Sequence, residues 1–256
     1  MSAEQARLVT LGGEQRQAKR TLVCVPHAGG SAVAFHAWHR VFGPRGIAVR
    51  GVHWERPDGS ERRSSIESRA AALASVVREL PEPWVLLGHS LGALIAAETV
   101  RRLENSAGPL PERAVLCAAA PPGFPRTFPP DVLRASDDRM TAYVRRLGGT
   151  DESLLTDPEF GPQVLASLRA DLDLIERYTP DFAYPLKSPV SVYGAAADRD
   201  VPVEALEGWR QLAPGARVRV FGGNHFFLHD DPAAVCEAVT ADCAQDGLDW
   251  AADSIA

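Results

Sequence analysis

The chain is poor in the features that mark most specialised protein classes. It holds 4 cysteines in 256 residues, with no CxxC and no Cys/His cluster at zinc spacing, which argues against a zinc-ribbon or dithiol redox motif. Cys24 and Cys117 fall in short apolar runs and read as buried thiols. Cys236 and Cys243 lie on a predicted helix, where seven positions separate them by roughly 10 Å of rise, too far for a disulfide. Basic residues are not in excess. Against 33 acidic side chains stand 27 basic ones, for a net charge of −6, and this leaves no electrostatic footprint for nucleic acid. No apolar run approaches the roughly 20 residues that span a bilayer. Residues 1–20 are polar and lack the apolar core of a signal peptide, so they read as a frayed lead-in. The Gly-x-Gly-x-x-Gly dinucleotide fingerprint is missing, as are internal repeats and low-complexity tracts. These absences predict a reduced, cytoplasmic protein with no cofactor, no metal, and neither membrane nor nucleic acid among its partners.

What is there is the composition of a globular enzyme-sized domain, 45% hydrophobic and 23% charged. Six short apolar runs alternate with longer helical patterns: residues 21–25, 48–52, 84–87, 114–118, 190–193 and 218–221. Several are continuous Val/Leu/Ala runs, as expected for strands covered on both faces. The alternation predicts an α/β fold, a mostly parallel central sheet flanked by helices. Ser64-x-x-Glu67 reads as a capping box, followed by Ile66, Ala70, Leu73, Val77 and Leu80 on one helix face. A further helix is predicted over 91–103, with Arg101 and Arg102 near its C-terminal dipole. Asp231-Pro232 reads as an N-cap with proline at the first helical position. Residues 121–188 form a long insertion. It opens on Pro121-Pro122-Gly123-Phe124-Pro125, contains Pro129-Pro130, and carries helical patterns over 137–147 and 163–178, the second with a stripe of Val164, Leu168, Leu172 and Ile175. Its size and placement predict a lid within a single domain spanning 1–256.

The chemistry gathers around Trp84-Val85-Leu86-Leu87-Gly88-His89-Ser90-Leu91-Gly92-Ala93. A strand-like run enters Gly-x-Ser-x-Gly and a helical run leaves it, the layout of a nucleophile elbow. Chance supplies the pentapeptide about once in ten such chains, so its context decides. A serine hydroxyl needs a base to take its proton, and an elbow serine is followed in the chain by an acid and then a histidine. Of seven histidines, only His225 and His229 fit that order. His225 follows the last strand run in Gly223-Asn224-His225-Phe226-Phe227 and is the expected base, whereas His229, next to Asp230-Asp231, reads as exposed. Asp198, Asp200 and Glu204 follow the run 190–193. Asp198 is favoured because it precedes Val201-Pro202 by a few residues. Asp200 stays open as the alternative, or as a cap for a helix near Val203. The oxyanion of a tetrahedral intermediate needs two backbone N–H donors. Leu91, after the serine, is one; Ala28, in the glycine loop Pro26-His27-Ala28-Gly29-Gly30-Ser31 after the first run, is the other. His27 reads as a loop-positioning residue.

These segments make the chain resemble the type II thioesterases of polyketide and nonribosomal peptide biosynthesis, stand-alone enzymes of the α/β-hydrolase fold. The resemblance extends to Arg146-Leu147-Gly148-Gly149-Thr150, Asp157-Pro158-Glu159, Leu168-Arg169-Ala170-Asp171 and Gly223-Asn224-His225-Phe226-Phe227-Leu228. It implies hydrolysis of acyl thioesters on the phosphopantetheine arm of an acyl or peptidyl carrier protein, by a monomer with a Ser90–His225–Asp198 triad and a lid that shapes the acyl chamber. A carboxylester hydrolase or acyltransferase on the same triad, or a noncatalytic carrier-binding module, are the competing readings. Three departures stand out: Arg56-Pro57-Asp58-Gly59-Ser60 where the family has Pro-Gly-Arg, Asn224 where it has glycine, and an extra alanine before Asp198.

Overall fold

The computed structural model describes residues 4–13, 18–55, 64–81, 83–125, 132–149, 152–180 and 184–247. In chain order its elements are β1 (Gln5–Thr10), β2 (Arg20–Val25), α1 (His39–Phe42), β3 (Ile47–Glu55), α2 (Ile66–Val77), β4 (Trp84–His89), α3 (Leu91–Asn105), β5 (Arg113–Cys117), α4 (Asp137–Leu147), α5 (Glu152–Thr156), α6 (Phe160–Arg177), β6 (Val190–Ala195), α7 (Val203–Glu207), β7 (Arg217–Phe221), α8 (Phe227–Asp230) and α9 (Pro232–Ala244). The strands form one seven-stranded sheet in the order β1-β3-β2-β4-β5-β6-β7. All neighbours run parallel except β1, which pairs antiparallel with β3. The expected α/β fold is the observed one.

The central strands alternate between two cores. Val23, Val25, Trp84, Leu86, Ala114 and Leu116 pack into the layer that includes residues of α2 and α3. Leu22, Cys24, Val85, Leu87, Val115 and Cys117 pack on the other face with Phe35, Trp38, Phe42 and residues of α9. Both faces are therefore dry, which is why these strands read as unbroken apolar runs. Each fully buried Leu or Val contributes roughly 1.5–3 kcal/mol. A third, smaller cluster joins Met140, Tyr143 and Val144 of α4 to Leu155 of α5 and Leu165, Leu168 and Leu172 of α6. The segment between β5 and β6 thus carries its own apolar seam above the sheet.

Two local expectations need correction. The supposed lead-in holds β1, an edge strand whose residues pair from Gln5↔Glu55 to Thr10↔Arg50. Its burial alternates only weakly, with Ala6 the one buried position. The cap of α2 is Ser65, not Ser64: Ser65 Oγ accepts from Ser68 N at 3.0 Å, and Ser68 Oγ accepts from Ser65 N at 2.9 Å. Ser64 is drawn instead to Glu4. Arg102 does lie in the last turn of α3, and it and Arg101 also pair with Glu98 on the same helix. Asp231 does cap α9, accepting from Ala234 N at 3.0 Å with Pro232 at the start. Pro129-Pro130, Thr150 and the Arg56–Ser60 departure lie outside the described residues.

All four cysteines are free and buried. Burial raises each thiol pKa: Cys236 to about 11, Cys243 to about 12, and Cys24 and Cys117 above the usual thiol range. Among the described residues no helix is long and apolar enough to cross a membrane.

Candidate active site

Strand order reverses between β2 and β4: the chain steps outward from β2 to β3, then crosses back to β4. Loops at the carboxyl ends of two such strands leave the sheet in opposite directions and open a crevice, where α/β sheets hold their ligands. The loop after β2 is Pro26–Ser31, and the turn after β4 carries Ser90.

The elbow is forced by packing. Ser90 sits at φ 54°, ψ −117°, a conformation that costs a non-glycine residue about 1–3 kcal/mol and persists only where its surroundings impose it. Its N–H donates to Cys117 O at 2.8 Å. The two glycines cannot carry a side chain: a Cβ at Gly88 would overlap the Gly92 carbonyl, and one at Gly92 would overlap the carbonyls of Val25 and Pro26. That second contact presses the end of β2 against the start of α3, so the Pro26–Ser31 loop lies beside the serine. Leu91 opens α3, and a first-turn N–H has no intrahelical acceptor. The Ala28 N–H likewise has no protein acceptor among the described residues. The neighbouring Gly29 N–H donates to Asp171 Oδ2 on α6 at 2.8 Å.

His225 follows β7 and is 7% exposed. Its Nδ1–H donates to Asp198 Oδ2 at 2.8 Å. Asp198 is itself held by the backbone, its Oδ1 accepting from Asp200 N at 2.9 Å and Val201 N at 3.1 Å. A carboxylate fixed on one oxygen presents the other in a set direction, and that orients the imidazole so that Nε2 keeps its lone pair. Asn224 does not spoil this loop, because its Oδ1 accepts from Phe226 N at 2.9 Å and closes the turn.

Asp200 caps no helix. Its Oδ2 accepts from Tyr143 OH at 2.6 Å and its Oδ1 from Arg146 at 2.9 Å, so it ties the acid loop to α4. Burial and the Asp200 charge both raise the Tyr143 phenol pKa, so it stays a donor. His229 is not exposed either. Its ring turns inward against Phe35, Trp38, His27 and His89. Burial lowers its pKa to about 4. His27 is lowered to about 4 in the same way, mainly by burial and further by His225.

Ser90, Ala28 and His225 line one cavity of about 150 Å³. Leu168, Leu172 and Ile175 of α6, Tyr143 and Leu147 of α4, and the Pro121–Phe124 turn complete its walls. Two residues that sequence reasoning left without a role organise its rim. Asp171 accepts from Gly29 N with one oxygen and from Arg69 Nη2 at 2.7 Å with the other, and Arg69 Nε meets Glu4 at 3.3 Å. Both Arg69 and Asp171 are buried. The Leu168-Arg169-Ala170-Asp171 segment is the one sequence signal for Asp171, and Arg69 carries none.

The thioesterase-domain family model matches residues 20–243. Thioesterase PikA5 of Streptomyces venezuelae is 34% identical over 229 residues, 86% of this chain and 79% of that protein. The gramicidin S biosynthesis protein GrsT of Aneurinibacillus migulanus is 31% identical over 86% of this chain and 87% of its own length. Among solved structures, the type II thioesterase YbtT from the yersiniabactin NRPS/PKS pathway superposes with a TM-score of 0.79 at 25% identity, over 93% of this chain and 98% of that one. With a family model covering most of its length and relatives above 30% identity, this chain belongs to the thioesterase family and stands with its type II members from polyketide and nonribosomal peptide pathways.

Proposed function

We propose that this thioesterase works as a monomer on acyl groups carried by the phosphopantetheine arm of an acyl or peptidyl carrier protein, with Ser90 as nucleophile, His225 as base and Asp198 as orienting acid. Ser90 Oγ attacks the thioester carbonyl as its proton passes to His225 Nε2. The Ala28 and Leu91 N–H groups hold the oxyanion. Collapse breaks the C–S bond and His225 returns its proton to the departing thiolate. Water then gives a proton to His225 and attacks the acyl-serine carbonyl; as the bond from that carbon to Ser90 Oγ breaks, His225 returns the proton to Oγ, freeing the carboxylic acid and restoring Ser90. The observation that carries this reading is the 2.8 Å Asp198–His225 hydrogen bond beside an elbow serine, at the wall of a mostly apolar cavity.

The segment from α4 to α6 serves as the lid of that cavity. A space of this volume accepts a ligand of about six carbons. The expected result is hydrolysis of acetyl- to hexanoyl-loaded carrier proteins in preference to palmitoyl, with the matching oxygen esters turned over more slowly. A panel of loaded carriers and esters checks it, together with covalent labelling of Ser90 by a fluorophosphonate. No labelling, or equal turnover of esters and thioesters, would overturn the assignment.

Asp171 acts as a positioning residue, because it fixes the peptide next to Ala28. Asp171→Asn keeps the shape but removes the charge that Arg69 faces. We expect kcat to fall about 10-fold or more with KM changed less than about 3-fold. Steady-state kinetics separate this from a purely structural role, which would lower the amount of folded enzyme and leave kcat per active site unchanged.

A further inference from the structure

Beside the cavity, whose wall includes His27, three imidazoles converge. His27 comes from that loop, His89 from the last position of β4 and His229 from α8. One ring nitrogen from each lies within 4.8 Å of the others. His89 is fully buried, and His89 Nδ1 and His229 Nε2 are buried with no hydrogen-bond partner among the described residues. Buried nitrogens are normally bonded, so two such atoms facing one point need an explanation.

The outward-facing nitrogens supply it. His27 Nδ1–H donates to Ala28 O at 3.0 Å, and His89 Nε2–H donates to His225 O at 2.9 Å. Each carbonyl selects the tautomer whose other nitrogen, His27 Nε2 or His89 Nδ1, is a bare lone pair. This is how metal-binding histidines are usually held, with one nitrogen on a backbone carbonyl and the other turned inward as ligand. We propose that His27, His89 and His229 form a three-imidazole site for a divalent transition metal, zinc foremost, with solvent as the fourth ligand.

The chemistry fits. Zinc accepts three histidines at 2.0–2.1 Å in a tetrahedral arrangement, which places ligand nitrogens about 3.4 Å apart. Ring rotations of about 1 Å close the widest separation. An imidazole ligates in its neutral form, which is the majority form of an ordinary histidine at pH 7. A metal there would tie the glycine loop, the elbow strand and the His225 loop at one point, outside the catalytic route. The competing occupant is one water molecule donating to His27 and His89.

The test uses the full chain, stripped with a chelator and titrated with Zn²⁺ and Co²⁺. Expected are one zinc per chain by equilibrium dialysis, a tetrahedral Co²⁺ absorption band, and a thermal midpoint raised by about 5 °C at a hundred-fold excess over Kd. His229→Phe, which suits the aromatic surroundings, should weaken uptake at least 10-fold and abolish the shift. The exposed His36, which packs edge-on against His39, is the control, and His36→Phe should change neither. X-ray absorption on the zinc-loaded protein reads the three nitrogen ligands directly, whether or not a variant folds. No uptake at micromolar zinc, uptake that survives His229→Phe, or loss on His36→Phe would each overturn the proposal.

Discussion

Hydrolysis of a carrier-bound thioester is expected to fall at least about 10⁴-fold on Ser90→Ala, and by a similar factor on Asp198→Asn. The two losses have different origins. Alanine removes the attacking oxygen but tolerates the φ 54° backbone about as poorly as serine, so the thermal midpoint should hardly move. Asparagine at 198 can still accept from Asp200 N and Val201 N through its carbonyl oxygen. Its amide then points NH₂ at His225, which forces the opposite imidazole tautomer and places a proton on the nitrogen that should receive one. Asp200→Asn supplies the contrast. It keeps an acceptor for Tyr143, loses only the charge facing Arg146, and should cost about 10-fold or less. Measuring kcat/KM for the three variants on one acyl-carrier substrate distinguishes the two aspartates. If Asp200→Asn proved the more damaging, the acid would have to be reassigned.

The second large effect is acid sensitivity. His27 and His229 are lowered to about 4 and His89 lies well below the ordinary histidine value, burial being the main cause in each. The unfolded chain holds these groups near 6.5. As pH drops below that value the unfolded state takes up protons first, and stability falls. The contribution is fully present above pH 6.5 and is lost as pH descends toward 4. Asp242 and Asp246 are lowered by their arginine and hydroxyl partners, so they begin to matter only below this window. Between pH 7 and 5 His27 and His229 should each cost about 1–2 kcal/mol, a large share of a typical 5–15 kcal/mol total, and His89 adds to the loss in the same direction. Urea titrations at the two pH values in the presence of chelator measure it, and His229→Phe should make the dependence shallower by the share of that one ring. A stability that stays level down to pH 5 would contradict the burial of these rings.

The parts of this molecule that were readable in its sequence are those whose cause is local. Gly88 and Gly92 are required by the turn they flank, the strand runs by burial on both faces, and the Asp231-Pro232 cap by helix chemistry. The parts that were not readable have causes that sit far along the chain. Two overlapping capping boxes compete at Ser64 and Ser65, and the outcome depends on Glu4, which engages Ser64 and Ser68 from 60 and 64 residues away. β1 carries too short and too weak an alternation to be seen without β3 beside it. Asp200 resembled a cap in the local string, yet Tyr143 and Arg146 claim both of its oxygens. His229 sits among acidic neighbours that suggest solvent, and the single turn of α8 instead points it into an aromatic pocket.

The burial of all four cysteines has a consequence for a protein that lives among activated acyl groups. Thioesters pass their acyl group to any accessible thiolate, and exchange is fastest for thiols that ionise near ambient pH. Here each sulfur is walled off and held protonated, so the enzyme does not become a dead-end acceptor for the groups it should release. The same silence makes the chain a clean background for bioconjugation. One cysteine installed at a solvent-facing position such as Val33, which is 73% exposed just past the glycine loop, would be its sole reactive handle for trapping a pantetheine arm in place.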